Sequence, residues 1–79
     1  MTATLRGNVR RIILESGWTD EQISRVVGVD RSNVCRWRNG VRLPKEANLL
    51  RFCAWSGCAP AELTFGAPAY NGPSVETVR

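Results

Sequence analysis

The sequence predicts an all-α fold of five short helices. Apolar residues recur at helical spacing in five stretches, glycine or proline separates neighbouring stretches, and polar capping residues stand where some of the helices would begin. The 79 residues leave room for one small core, and 43% hydrophobic content with three tryptophans indicates a folded chain. We place the folded domain at residues 1–66 and predict a flexible or extended tail at residues 67–79, where two prolines and an Asn-Gly pair interrupt the periodicity.

The first two helices are predicted from an apolar stripe and from a capping signal. Helix one is expected from about Thr4 until Gly17 ends it, and its stripe has the i, i+4, i+7, i+8 spacing of an amphipathic helix: Leu5, Val9, Ile12 and Ile13. Helix two is expected at about Asp20–Val27. Thr19 can cap it while the side chain of Gln22 reaches back, which is a capping box.

Helix three follows after a tight turn. Gly28 supplies the positive φ that the change of direction requires, and Asp30 is expected to cap the helix at about Arg31–Asn39. Val34 and Trp37 form its inward stripe. Steps of about 100° per residue then place four residues on the outward side: Ser32, Cys35, Arg36 and Asn39.

Two prolines open the last two helices in this prediction. Pro44 fits the first turn of helix four, which Gly57 ends, and Pro60 opens a short fifth helix that Gly66 closes. The predicted buried side of helix four consists of its apolar residues: Ala47, Leu49, Leu50, Phe52, Cys53 and Trp55.

Positive charge is concentrated on helix three and on the loop that follows it. The net charge is +4 with a pI near 9.6. Between residues 31 and 45 there is no acidic residue, and five residues are basic: Arg31, Arg36, Arg38, Arg42 and Lys45. This distribution predicts an anionic partner at that part of the domain.

Several classes of function lack their usual residues. The chain has no histidine, and its three cysteines lack CxxC spacing, so we expect no metal and no other cofactor. Acid–base, nucleotide and nucleophilic chemistry also lack their usual groups, which argues against an enzyme. With no apolar run of about 18 residues and no apolar signal region at the amino terminus, we expect no membrane association and a cytoplasmic location.

The segment DEQISRVVGVDRSNVCRW, followed by RNGVRLP, resembles the lambda-repressor and Cro type of helix-turn-helix domain (XRE-type). The resemblance covers roughly residues 5–66 and implies a five-helix fold with the helix-turn-helix at helices two and three. It also implies a transcription regulator, either a phage-type repressor or a Cro-like protein. Such a protein binds duplex DNA sequence-specifically, usually as a homodimer on a palindromic operator, in the cytoplasm or nucleoid of the host cell if it is phage-encoded.

The resemblance also implies which residues meet DNA when helix three enters the major groove. The positions that match base-facing ones are Arg31, Ser32, Cys35 and Arg36. Arg36 is the candidate for bidentate reading of a guanine. The candidate phosphate contacts are Thr19, Gln22, Asn33, Arg38, Asn39, Arg42 and Lys45.

Two departures from the family pattern change these expectations. Many members begin helix two with a glutamine that bonds a phosphate, whereas Asp20 would repel one. The family often links helix one to the end of helix three by an Arg–Glu pair, but Ile13 and Arg38 stand at those positions. Arg38 is therefore available either to bind phosphate or to pair with another acid.

Other functions stay open at this point. An antitoxin or adaptor would use the same fold to bind a protein partner through its carboxyl-terminal part, and an excision or replication factor would use the same DNA reader. The implied dimer would form through helix five, through the tail, or through Trp55 and Phe65. The tail residues suited to pairing with a second copy are Tyr70, Val75 and Val78.

Overall fold

All five predicted helices are present in the computed structural model, which describes residues 5–75. In chain order they are α1 (Leu5–Ser16), α2 (Asp20–Val27), α3 (Arg31–Arg38), α4 (Glu46–Ser56) and α5 (Pro60–Phe65). From residue 5 to residue 75 the chain forms no strand, so this part is all-α. The predicted start at Thr4 lies outside the described residues. Each helix in that range is too short or too polar to cross a membrane.

Helix α2 begins and ends as predicted. Thr19 Oγ1 accepts a hydrogen bond from the backbone N–H of Gln22 at 3.2 Å, and Gln22 Oε1 accepts one from the backbone N–H of Thr19 at 2.9 Å. Gly28 follows the helix with a φ of 79°, a left-handed conformation, and its N–H bonds to the carbonyl of Ser24. These two ends confirm the span Asp20–Val27.

The start of α3 differs from the predicted cap. Asp30 precedes the helix, but its side chain makes no capping bond to the backbone. Its carboxylate instead accepts a hydrogen bond from the Ser32 hydroxyl at 3.2 Å. Asp30 therefore occupies the predicted cap position, but the capping hydrogen bond expected from its side chain is absent. At the other end α3 stops at Arg38, and the left-handed residue beyond it is Gly40, with a φ of 72°.

Helix α4 begins at Glu46 and not at Pro44, which is buried in the loop before it, and Lys45 takes the cap position. Its buried side is also narrower than predicted, since Ala47 and Leu50 are exposed. The buried residues of α4 are Phe52, Cys53, Trp55 and Ser56. A short helix on the surface of a small domain turns one side to the core, and these residues fill that side.

Aromatic rings occupy the centre of the core. Edge-on ring pairs join Trp37 to Phe52 at 6.2 Å between centroids, Phe52 to Trp55 at 5.4 Å, and Trp55 to Trp18 at 5.5 Å. Helix α1 adds three fully buried aliphatic side chains: Val9, Ile12 and Ile13. Through Trp37 and the fully buried Val34, α3 is anchored on this core.

The chain beyond α5 packs back onto the helices. We call residues 67–75 the C-terminal segment; up to residue 74 it contains no helix or strand. The Tyr70 ring lies 5.0 Å from that of Trp55, and Val75 packs against the core. These two side chains therefore serve the chain's own packing, while Val78 lies outside the described residues. The hydrogen bonds that tie the segment down include Asn71 N–H to the Ser56 carbonyl (2.8 Å), the Trp18 indole N–H to the Pro73 carbonyl (3.2 Å), the Cys58 thiol to the Ala69 carbonyl (3.1 Å), and the Tyr70 N–H to Glu15 Oε1 (3.2 Å).

Candidate nucleic-acid interface

The solvent-facing side of α3 has the residues that the helical spacing predicts. We call five residues the outer face of α3: Arg31, Ser32, Cys35, Arg36 and Asn39. All five are exposed. On the opposite side Val34 is 0% exposed and Trp37 is 3% exposed. Anchoring one side in the core thus fixes the other side toward solvent, which confirms the predicted phase of this helix.

Three side chains of the outer face form hydrogen bonds to other described residues, and two side chains form none. The Asn39 amide donates to Cys35 Sγ at 3.5 Å, and the Ser32 hydroxyl donates to Asp30. The Arg36 carbonyl accepts a hydrogen bond from the backbone N–H of Val41 at 2.9 Å, but the guanidinium groups of Arg31 and Arg36 make no hydrogen bond or salt bridge to any of residues 5–75. Their donors are therefore available to a ligand.

Uncompensated positive charge continues from α3 into the following loop. Three arginines of the described chain are in salt bridges: Arg11 with Glu15, Arg25 with Glu21, and Arg38 with Asp20. Four exposed basic residues between positions 31 and 45 form none with any described residue: Arg31, Arg36, Arg42 and Lys45. Arg6, Arg10 and Arg51 are also exposed and without a salt bridge to a described residue, so the run is distinguished by holding four such cations and no acidic residue, which favours an anionic ligand there.

A small notch between α3 and the start of α4 brings three candidate phosphate contacts together. It has a volume of about 220 Å³ and is lined by Asn33, Trp37, Arg42, Leu43, Lys45 and Asn48. Two cations and two amides are suited to the oxygens of a phosphate group. Asn48 was not among the predicted residues; its signal in the sequence was a polar side chain in the first turn of α4, just after Lys45.

A wider, open depression lies between the amino-terminal ends of α2 and α3. Its volume is about 760 Å³, and its lining residues are Thr19, Asp20, Glu21, Asp30, Arg31, Ser32 and Cys35. Three of these are acidic, which would oppose a polyanion. Two of the three carboxylates are neutralised by salt bridges, Asp20 by Arg38 and Glu21 by Arg25 at 2.8 Å.

Arg38 pairs with an acid, which was one of its two predicted alternatives. Its Nε donates to Asp20 Oδ1 at 2.6 Å, and its Nη2 donates to the Trp18 carbonyl at 2.9 Å. The side chains are partly buried, with 28% of Arg38 and 25% of Asp20 exposed. The same contact removes much of the repulsion expected from Asp20, because that carboxylate already has a cation beside it.

Two candidate phosphate contacts, Thr19 and Gln22, use part of their hydrogen-bonding capacity to cap α2. The capping box uses Thr19 Oγ1 and Gln22 Oε1 as acceptors. The side-chain NH₂ group of Gln22 makes no hydrogen bond within residues 5–75, so it keeps its donors for a ligand.

The outer face of α3, with two unpaired guanidinium groups, thus lies beside the notch, which has two further cations. Such an arrangement can donate hydrogen bonds to the acceptor atoms of base edges and to phosphate oxygens. No protein-family model matches this chain, and neither curated proteins nor solved structures show a significant similarity to it.

Proposed function

We propose that this protein is a sequence-specific DNA-binding transcription regulator that inserts α3 into the major groove of duplex DNA. In this proposal the five helices form a lambda-repressor-like domain, α2 and α3 are its helix-turn-helix, and the protein acts as a phage-type repressor or Cro-like switch. The observation that carries the proposal is the outer face of α3, where Arg31 and Arg36 are exposed and unpaired on a helix anchored from behind. The groove is about 12 Å wide and admits one helix.

The outer face and the notch have different roles in this proposal. Arg36 lies in the second half of the helix and reads a guanine through O6 and N7, while Cys35 contacts a thymine methyl. Arg31, at the entrance of the helix, reaches a base or a phosphate. The notch formed by Asn33, Arg42, Lys45 and Asn48 holds a backbone phosphate and so sets the position of α3 along the groove.

A homodimer on a palindromic operator extends this proposal to the partner. Trp55 is 4% exposed and lies under the partly buried ring of Tyr70, so Trp55 offers no surface to a second copy. Phe65 on α5 is 88% exposed. We therefore favour α5 over the C-terminal segment as the dimer contact. Capture of another protein by the C-terminal segment, as in an antitoxin or adaptor, is disfavoured because Pro68 and Tyr70 pack inward.

The assignment of roles is tested with a pair of alanine variants. An operator is first selected from a random duplex library. Arg36→Ala is expected to lose about 1–3 kcal/mol of binding free energy on that operator and to relax the preference at one base pair. Arg42→Ala is the matched control, because it removes the same charge from the notch and should weaken binding to operator and random duplex alike. Equal losses for Arg36→Ala on both duplexes would contradict its role as a base reader.

The salt dependence of binding tests the phosphate contacts as a group. A dimer that makes about 6–10 such contacts should lose roughly 10³- to 10⁵-fold in affinity between about 50 and 200 mM salt. An affinity that hardly changes over this range would be inconsistent with a basic surface that tracks the DNA backbone.

A further inference from the structure

The salt bridge between Asp20 and Arg38 joins the far ends of the two helices that would form the DNA reader. Asp20 is the first residue of α2, and Arg38 is the last residue of α3. We propose that this pair, the Asp20–Arg38 tie, is a positioning device that holds α3 at the angle needed to read bases. The inference rests on the proposed DNA-binding function and adds two positioning residues to it.

The geometry of the tie is that of a triangle. Two sides are α2 and α3, each of 8 residues and therefore about 12 Å long. They meet at the turn of residues 28–30, where Gly28 adopts its left-handed conformation. The third side is formed by the side chains of Asp20 and Arg38, whose Oδ1 and Nε atoms are 2.6 Å apart. Because the salt bridge joins the two ends that lie away from the turn, a change in the angle between α2 and α3 would strain or break it.

The guanidinium group of Arg38 fixes the orientation of the tie because it donates two hydrogen bonds from one plane. Arg38 donates from Nε to Asp20 and from Nη2 to the Trp18 carbonyl, so one planar group bonds both the first residue of α2 and the chain just before it. An ammonium group has the same charge but lacks this fork. Partial burial of both side chains strengthens their attraction relative to a fully exposed pair.

The competing interpretation is that Arg38 acts on DNA directly, as a phosphate contact, and that Asp20 only lowers the affinity for DNA by its charge. The two interpretations predict opposite results. If Asp20 only repels DNA, Asp20→Asn strengthens binding to every duplex equally. If Asp20 positions α3, the same variant lowers the preference for the operator over random DNA.

The experiment compares affinities for the selected operator and for a random duplex, at several salt concentrations, for Asp20→Asn and Arg38→Lys. Each variant is expected to lose about tenfold in the ratio of the two affinities, roughly the effect of one lost base contact. For Arg38→Lys the slope of affinity against salt should stay that of the unmodified protein, since Lys retains the charge. A ratio that stays unchanged in both variants would overturn the positioning role.

The chain offers closely matched controls. Glu21→Gln removes a neighbouring carboxylate that lines the same depression, and Arg25→Lys alters its partner. The Glu21–Arg25 salt bridge lies within α2 and is more exposed, with 59% and 76% of the side chains accessible. Because it does not cross between helices, both control variants should leave the affinity ratio unchanged. A loss in the controls equal to that in the tie variants would also overturn the proposal.

A measurement without DNA separates this proposal from the proposed function. In a double-mutant cycle, Asp20→Asn and Arg38→Lys are expected to shift the urea midpoint of unfolding non-additively, and the Glu21→Gln and Arg25→Lys cycle to be nearly additive. Additive shifts of the urea midpoint for Asp20→Asn and Arg38→Lys would overturn the positioning role even if the unmodified protein binds an operator. An unmodified protein that prefers no duplex in the selection would instead defeat the proposed function, and the positioning role with it, while the cycle still reports whether the tie couples α2 to α3.

Discussion

The three cysteines have different surroundings, and their reactivity should differ accordingly. Cys35 is exposed on α3, whereas Cys53 and Cys58 are buried. Burial raises the pKa of the Cys53 thiol, and the neighbouring Cys58 raises it further. The Cys58 thiol donates a hydrogen bond to the Ala69 carbonyl. A thiolate is the nucleophile in alkylation, so a buried thiol with a raised pKa presents less of it at any given pH.

Iodoacetamide at pH 8 should therefore label the native protein once, at Cys35, and the urea-unfolded protein three times. Intact mass and peptide mapping give the number and the position of the labels. Reaction at Cys53 should become appreciable only at a pH above the ordinary range of a thiol, because its pKa is raised. The variant Cys35→Ser should take up no label in the native state. Rapid labelling of Cys53 at pH 8 would contradict its burial.

At the residue scale, the sequence predicted well which residues of α3 are exposed but predicted poorly which side chains bond to one another. The spacing of Val34 and Trp37 set the phase of α3, so the exposure of Arg36 followed from local geometry alone. The partner of Arg38 did not follow, since Asp20 stands 18 positions away and the fold decides which acid is near. Asn48 was missed for the same reason: the notch it lines is formed by two elements.

At the scale of elements, the turn between α2 and α3 depends on one backbone conformation. Gly28 has a φ of 79°, and the N–H groups of Gly28 and Val29 both bond to the Ser24 carbonyl, at 2.9 and 3.1 Å. A Cβ at this position would meet only the Arg51 guanidinium, at 3.5 Å, which is ordinary contact. The demand for glycine is therefore one of backbone strain and not of space.

Replacing Gly28 by alanine should lower the free energy of unfolding by about 1–2 kcal/mol, the cost of a left-handed alanine. Gly28→Asn is the matched control and should lose less, since asparagine tolerates this conformation better than alanine. Thermal melting followed by circular dichroism measures both. If asparagine lost more than alanine, the larger side chain would be meeting a steric obstacle, and the strain argument would be wrong.

Helix ends were predicted accurately where the sequence contains a strong local signal, such as a capping box or a left-handed glycine, and inaccurately where it does not. The ends of α2 have a complete capping box and a left-handed glycine, and α5 begins at Pro60 as its sequence indicated. The start of α4 was misplaced because a proline suits both the first turn of a helix and the loop before it. The buried side of α4 was overestimated because Leu50 is apolar but, at 59% exposed, faces away from the core.

At the scale of the whole molecule, the C-terminal segment completes the core on the side of α1 and α4. Pro68 is fully buried, and Arg11 on α1 donates a hydrogen bond to its carbonyl. Burial raises the pKa of Tyr70, whose ring covers Trp55. This packing could not be predicted, because the stretch lacks periodicity and some of its contacts join residues far apart in the chain, such as Trp18 and Pro73.

Removing residues 67–79 should therefore destabilise the protein, although the helices α1–α5 all remain. The truncation exposes Trp55, leaves the Trp18 indole N–H without its partner, and removes the Asn71 N–H that donates to the Ser56 carbonyl. We expect a loss of about 2 kcal/mol or more in the free energy of unfolding, which lowers the Tm of a domain this small by roughly 8–16 °C. The matched control ends the chain after Val75 and keeps every contact described for the segment, so its Tm should lie well above that of the longer truncation. Equal Tm values for the full chain and the longer truncation would show that the C-terminal segment does not stabilise the fold.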